Sequence, residues 1–599
     1  MVEVDKKSSA SKRKLGGSQD APTKKSKFST DLKKKPKFTG AKKKFSTEKK
    51  ELPKETAKTR KERKLARKKL NPNYELSCQA KKIWEKLRIQ KQQLSKEEKS
   101  VLVEQLMELV QQNGKMMINL AYAHDTSRVL QTCLKQGSKD QRHKIFSEIQ
   151  THIVDMCKNG YAKNIVWKLL KYGTPEERQV IMSSFKGIVY KLMRKSKSAS
   201  VVEYAYNNYA TAVQRQAIIH EFYGRVFIML ANQEPLSLPQ VIESNKDKKS
   251  AILSSFKDAL TPLVDKTVIV HTVVHKALYD FFYNCDEATV RSELIEVLRE
   301  SLVHILHTHD GAYVSMNCLW FGTKKDRKVI VKSLKEFVVK ISCEEFGHLP
   351  LLAAFDCVDD TVFLKKALVL PIIKNIGDLV LNKYGRKVLI YLMSPRNTSH
   401  FLPEVVKMLS TGDSNSTSKK PLEQRHSELS EAASPGILKY LADNLEQIIY
   451  DRSTFVLVQV AVLCCHGDNS ELIQAIVKEA GKEFVAGEKN ETGKMHIIED
   501  PCGHLVIKKL IVTESKSAAE NPDKESTFSS ALVNGVAATV LPIWSSCNRG
   551  AQILLALVEN SDKNVASKTR EILKKSLDIL SSHSGVKTTK ILVEKLELK

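Results

Sequence analysis

The sequence predicts an all-α fold: an α-solenoid of about ten or eleven stacked helical repeats, preceded by a disordered basic tail. Three observations carry that prediction. Beyond Pro72 the apolar residues recur with helical periodicity and almost no strand-like alternation. The segments DTSRVLQTCLKQG (125–137) and YAKNIVWKLLKYG (161–173) superpose without a gap, 36 residues apart. Each ends in glycine, Gly137 or Gly173, and is followed at once by a capping box, Ser138-Lys-Asp-Gln141 or Thr174-Pro-Glu-Glu177, so that one unit reads as helix, tight turn, helix.

The tail comes first. Residues 1–70 hold 26 Lys/Arg against 8 Asp/Glu, a net +18 of the chain's +29, which leaves +11 for the remainder. With few large apolar residues and a recurring KFST/KFTG phrase at 27–30, 37–40 and 44–47, this stretch cannot build a core and is expected to be disordered. Lys12-Arg13, followed after a spacer by Lys24-Lys25-Ser26-Lys27, matches the two-part basic pattern read by nuclear import receptors. A solvated arm that touches phosphate non-specifically is the plainer reading, and the two are compatible. Such a charge balance suggests a polyanionic partner, nucleic acid rather than membrane, because no lipidation signal or basic amphipathic helix accompanies it.

After the tail, Ser95-Lys-Glu-Glu98 is a capping box that opens a helix containing Leu102, Leu106 and Val110. A third copy, SASVVEYAYNN, begins at Ser198, another 36 residues on. More divergent copies follow at 270–282, 310–323, 346–361, 383–395, 451–462, 502–512, 549–560 and 584–596, with a degenerate one near 225–245. Polar stretches at 411–435 and 514–530 are expected to be mobile loops between helices. The resulting division is a basic tail at 1–75, N-terminal helices and first repeats at 76–225, and a C-terminal array at 226–599, with a break plausible near 225. Each copy is too small to bury its own apolar face, so the copies must stack.

A helical wheel places Val129, Leu130, Cys133 and Leu134 on one side of the first copy and Ser127, Arg128 and Gln131 on the other. Lys163, Asn164 and Trp167 take the same three places in the second copy, with Lys171 a turn further on. Stacking lines these triplets along one surface. The combination resembles the Pumilio (PUF) family, whose repeats have about this length and read one base each with such a triplet. The resemblance covers nearly all of residues 115–599 and implies the fold.

The family's base code does not carry over. Only Ser127/Gln131 with Arg128 resembles its usual chemistry. Elsewhere the expected edge pairs are Lys163/Trp167, Ala199/Glu203, His271/His275, Ala312/Met316, Arg386/Ile390, Ser453/Leu457, His504/Lys508 and Ala551/Leu555, and Ala, Ile, Leu and Met cannot make the bidentate bonds that distinguish bases. The expected partner is RNA, with duplex DNA also accommodated, gripped through phosphate, shape and occasional stacking. Candidate contacts are Ser127, Arg128, Gln131, Lys163, Asn164, Trp167 and Lys171, then Lys383, Arg386 and Lys387, then Lys508 and Lys509, and finally Lys587 and Lys590. For Trp167 the alternative is packing on a neighbouring repeat. The degenerate code and basic arm are similar to the nucleolar, Puf-A-like branch of the family. That resemblance implies a nucleolar role in pre-rRNA processing and large-subunit assembly, with pre-ribosomal assembly proteins and import receptors as further partners.

Other function classes are disfavoured. The eleven cysteines include no C-x-x-C pair and read as buried, reduced thiols. The start, MVEVDKK, lacks a signal peptide's apolar run, and no apolar stretch is long enough to span a bilayer, so a soluble intracellular monomer is expected. In HTVVH (271–275) the histidines have metal-binding spacing, but Thr272 stands where a metalloprotease needs glutamate, and base-face residues are the expected reading. His304, His307, His309 and Asp310 form no convincing metal set. Without a phosphate-cradling loop or a nucleophile elbow, no enzyme, metal or cofactor is expected. Two rival readings stay open: a protein-binding solenoid whose tail alone touches nucleic acid, and a sequence-specific repressor of messenger RNA.

Overall fold

The computed structural model describes residues 74–88, 95–111, 116–124, 126–224, 235–489, 493–521 and 527–597. The predicted tail, including Lys12, Arg13, Lys24, Lys25 and Lys27, lies outside them apart from Tyr74 and Glu75. So do residues 225–234 of the predicted degenerate copy, whose remaining residues hold the short helix Leu238–Glu243. Among the described residues there is no strand, and one isolated bridge pairs Lys489 with Met495.

Within the compact unit Pro72–Lys599, eleven helices, one for each divergent or regular copy, lie side by side. They are α1 (Ser127–Gln136), α2 (Lys163–Tyr172), α3 (Ser196–Asn208), α4 (Thr272–Asn284), α5 (His309–Phe321) and α6 (His348–Cys357). The row continues with α7 (Lys383–Met393), α8 (Phe455–Cys464), α9 (Gly503–Glu520), α10 (Asn548–Val558) and α11 (Lys587–Glu597). Each packs on the next. The row is backed by second helices such as Lys139–Ile149, Pro175–Phe185 and Lys324–Lys335. A short third segment, absent from the helix-turn-helix expectation, precedes most row helices, as at Ile153–Lys158, Val189–Met193 and Ile376–Leu381. The first row helix is covered by Tyr74–Arg88 and Lys96–Gln111, with Trp84 Nε1 donating to Thr132 Oγ1 at 2.8 Å. An array needs such a cover because a terminal repeat would otherwise expose its stacking face.

The expected caps form. Ser138 and Gln141, Thr174 and Glu177, and Ser95 and Glu98 make reciprocal capping boxes, as do Thr211 with Gln214 and Thr323 with Asp326. The closing glycines serve a different purpose from the one expected of a helix end. Gly173 has ordinary extended dihedrals (φ −71°), but a Cβ there would lie 2.5 Å from the Leu169 carbonyl oxygen and 2.8 Å from Glu177 Oε2. Space for the next capping box, not left-handed backbone, is what excludes a side chain.

The start of each row helix carries a second signature. Thr126, Ser198 and Thr454 donate their hydroxyls to the carbonyls of Leu120, Leu192 and Ile448, six residues earlier. Where glycine takes this place the backbones touch: a Cβ on Gly311 or Gly550 would sit 1.9 or 2.2 Å from the oxygen of Ile305 or Trp544. Counting back from the residues that close the helices, Gly137, Gly322, Cys285 and Cys465, puts Thr126, Gly311, Val274 and Thr454 in equivalent positions. The first triplet member of the fourth copy is therefore His275, and that of the eighth is Phe455, in place of the expected His271 and Ser453. Both helices are apolar on most faces, so a slip of register leaves the hydrophobic pattern intact.

Two expected loops are largely helical. Within 411–435, Thr411–Ser414 is a 3-10 turn and Leu422 begins a 22-residue helix that runs to Asp443. Its polar composition hides a buried stripe of Leu429, Ala433, Ile437 and Leu441 at spacings of four. Asp356 and Asp359 clamp it to the row: Asp356 accepts from Tyr391 Oη, Arg396 and His426, and Asp359 from Arg425 and the Lys419 and Lys420 amides. Within 514–530, α9 continues to Glu520, and Glu514 caps the next helix by accepting from the Phe528 and Ser529 amides at 2.8 Å.

Candidate nucleic-acid interface

The regular caps and starts bring one face of α1 to α3 into a continuous surface. Arg128 is exposed on α1 and Gln131 half-buried beside it, whereas Ser127 is 2% exposed and turned into the core. On α2, Lys163 Nζ lies 5.0 Å from the Trp167 ring centre and donates to Ser200 Oγ of α3 at 3.1 Å. Burial and the nearby Lys197 ammonium lower the Lys163 pKa. Trp167 packs against Tyr204 of α3 (centroids 5.9 Å), so the neighbour-packing alternative is realised. Asn164 is tied to the Tyr161 carbonyl, while Lys171 is exposed. Lys168, Lys197 and Tyr204 join this basic-aromatic cluster and were missed, since each lies outside the triplet places; a count of cations per copy regardless of position would have found the lysines.

A second cluster sits on α7. Lys383 is exposed, Arg386 donates from Nη1 to the Val380 carbonyl at 2.8 Å, and Lys383 and Lys387 lie 5.4 and 5.8 Å from the Tyr384 ring centre. On α9, Lys508 donates to Gln552 Oε1 of α10 at 2.9 Å, and Lys509 is exposed. Lys587 and Lys590 are exposed on α11. The structure groups these residues by helix along the row and does not bring them into one pocket.

The histidines of HTVVH are not base-face residues. His275 is fully buried, its Nε2 at 2.7 Å from the Ile269 carbonyl and its Nδ1 at 2.7 Å from the Thr308 hydroxyl. The carbonyl requires a proton on Nε2, and burial pushes the imidazole pKa down to about 3. His271 stands at the N-cap position of α4 without a side-chain bond to the helix start. Among the described residues no group of three His, Cys, Asp or Glu side chains is placed to hold a metal ion.

Comparison with known proteins bears on this geometry. The Pumilio-family RNA binding repeat matches residues 127–150 and 152–184, and the CPL (NUC119) domain matches 381–523. The chain is 41% identical to Pumilio homolog 3 of Rattus norvegicus over 529 residues, covering 88% of this chain and 80% of the relative. The chain belongs to the Pumilio family. It is 28% identical over 545 residues to Pumilio homology domain family member 6 of Schizosaccharomyces pombe, covering 90% and 83%. Among solved structures, the crystal structure of human Puf-A matches with a TM-score of 0.80 at 40% identity over 87% of this chain and 99% of that one. The crystal structure of human Puf-A in complex with DNA matches at 0.78 and 38% identity, over 88% and 100%.

Against the Pumilio triplet, the row is depleted of base-reading chemistry beyond what composition indicates. In the observed register the first members include Ser127, Ala199, His275, Ala312, His348, His504 and Ala551, all buried. At the third place Glu203 turns its carboxylate to α4, accepting from the Thr272 amide and hydroxyl at 2.8 and 2.7 Å and from the Val273 amide at 3.2 Å. A carboxylate committed to capping a helix cannot read a base.

Proposed function

We propose that this Pumilio protein binds RNA and DNA through phosphate and shape with little sequence preference, and that it acts in the nucleolus in pre-rRNA processing and large ribosomal subunit assembly. What carries the reading is the face of α1 to α3, where Lys163, Lys168 and Lys171 surround Trp167 and Tyr204 and Arg128 is exposed on the adjoining α1, while the base-edge positions are buried or engaged. A cation over a ring holds phosphate and supports stacking without selecting a base. Its relative human Puf-A was solved with DNA, which fits a partner choice based on backbone. Import receptors acting on Lys12, Arg13, Lys24, Lys25 and Lys27, and assembly proteins, complete the proposed partner set.

The test is equilibrium binding of the full chain and of one lacking residues 1–70 to single-stranded RNA, duplex RNA, duplex DNA and a UGUA-containing RNA across a salt series. The truncated protein is expected to bind all four with similar affinity and a steep salt dependence. Loss of all binding with the tail would instead make the row a protein scaffold, and a strong preference for UGUA would restore the messenger-RNA repressor.

A further inference from the structure

Following α5 and α6 in the chain, two of the second helices carry lysines that the row does not use. Lys324–Lys335 exposes Lys324, Lys325, Lys328, Lys332 and Lys335, and its one acid, Asp326, is buried. The next second helix runs from Thr361 to Lys374 and exposes Lys365, Lys366 and Lys374 with no acid at all. Lys324 Nζ lies 3.6 Å from Asp359 Oδ2, and Lys328 Nζ lies 5.5 Å from the centre of the Phe363 ring. These contacts run in the same order along both segments, so the helices pack in parallel and present one outer face. Over the 12 residues of the first helix that face extends about 18 Å.

Charge on this face is largely uncompensated. Lys324, Lys328 and Lys332 repel one another at four-residue spacing, and Asp359, which Lys324 approaches, is already held by Arg425. Apolar groups stand exposed among the cations. Val362 is 64%, Leu370 45% and Phe337 44% exposed, and the short helix that Phe337 introduces, Val338–Ser342, packs on Leu370–Lys374. A π turn at Lys365–Val369 buries three successive residues, Ala367, Leu368 and Val369, and Leu370 emerges beyond it. Such turns occur often at functional places. The positive charge is also local. Ala288–Leu298, tied to Lys324–Lys335 by the Arg299–Asp326 pair, carries exposed Glu293 and Glu296. Leu422–Asp443, which packs on the Thr361–Lys374 helix, carries exposed Glu423 and Glu431.

We propose that this outer face docks an acidic amphipathic helix of a partner protein, its carboxylates over Lys328, Lys332 and Lys366 and its apolar stripe over Val362, Leu370 and Phe337. A nucleic-acid strand is the poorer match. Exposed aliphatic groups cannot stack on bases, and a polyanion continuing past the face would meet the glutamates of the flanking helices. A helical peptide of about three turns ends within the positive stretch. Its apolar residues gain by covering aliphatic side chains that otherwise face water. None of these residues belongs to the row, so the inference stands apart from the nucleic-acid reading of α1 to α3.

The test uses the full chain and three probes: a short fluorescent peptide of glutamates and leucines with the leucines on one helical face, polyglutamate of equal charge, and a hairpin duplex RNA. Lys328→Glu/Lys332→Glu is expected to weaken the peptide about tenfold while duplex affinity stays unchanged. Val362→Ser/Leu370→Ser is expected to weaken the peptide about tenfold and to leave polyglutamate unchanged. Lys328→Arg/Lys332→Arg should bind as the native chain does, and melting temperatures should hold throughout, since the altered side chains are exposed. All variants keep the basic residues 1–70, so polyglutamate measures that shared attraction. A photoreactive group in place of one leucine should crosslink to the segment 362–370 or to Phe337. Equal affinity for peptide and polyglutamate, or peptide binding indifferent to both substitutions, would overturn the proposal. Loss of duplex RNA together with the peptide in Lys328→Glu/Lys332→Glu would assign the face to nucleic acid and overturn it too. Arg128→Glu/Lys163→Glu, expected to weaken the RNA alone, tests the row separately: unchanged RNA binding there counts against the α1 to α3 reading and not against this face.

Discussion

The stretch α1 to α3 and the stretch α6 to α9 are built from the same kind of unit, yet they solve different problems. In the first, copies follow one another at 36-residue spacing, and side chains bridge neighbouring helices directly, as Lys163 does to Ser200 and Trp167 to Tyr204. In the second, long intervening segments have become structure, held by buried ion pairs around Asp356 and Asp359, and cavities remain where the row was stretched. Regular spacing makes a closed face, and insertion makes recesses. Composition barely distinguishes the two; connectivity does.

The strongest way to break this comparison is at the clamp. Asp356→Ala removes a buried carboxylate that faces Arg396, His426 and Tyr391, and leaves the Arg396 guanidinium with Asp413 alone, so a loss of about 3 kcal/mol is expected in denaturant unfolding, confined by hydrogen exchange to residues 356–443. Next is the joint between the stretches: Glu203→Ala should cost about 2–3 kcal/mol through the lost charged cap on α4, with faster exchange at Thr272 and Val273 and none at α1.

Acid sharpens the contrast. The folded pKa values of His275 and His348 are depressed to about 3 and about 4 by burial. Protonation then favours the unfolded chain: stability is full above the ordinary histidine value near 6.5 and falls as pH drops towards the folded values. At pH 5 each costs about 2 kcal/mol, so exchange protection of α4 and α6 should fall between pH 7 and 5. His275→Gln should flatten that slope for α4. The smallest effect is expected at a regular cap, where Thr174→Ala costs about 1 kcal/mol and loosens only the helix Pro175–Phe185.

What could be read beforehand follows the same division. The caps at Ser138 and Thr174 and the apolar spacing of α1 and α2 depend on neighbours a few residues away, and were legible. The register of α4 and α8 was not, because Val273 to Phe282 and Phe455 to Val462 offer several apolar stripes. Which one faces inward is marked by the carbonyls that the helix starts engage, Ile269 by His275 and Ile448 by Thr454, contacts that apolar spacing does not reveal. The helix Leu422–Asp443 stayed hidden because serines, glutamates and Pro435 mask its stripe, and its Arg425 and His426 are stable there only through aspartates from another segment. At the candidate site the lysines were visible, whereas the burial of Ser127 and the cavities beside the 394–402 turn arise from how helices meet.

The bond or touch at each helix start also governs which parts could be exchanged. A hydroxyl at Thr126 bonds the carbonyl six residues back, whereas bare backbone at Gly311 lies directly against the equivalent carbonyl, so the two kinds of start hold the short segment at different separations. A chimera that swaps α1 with α5 would therefore need the preceding short segment transplanted with it. The heritable module of this molecule is the short segment plus the helix it launches, and an insertion is tolerated wherever it leaves that pair intact.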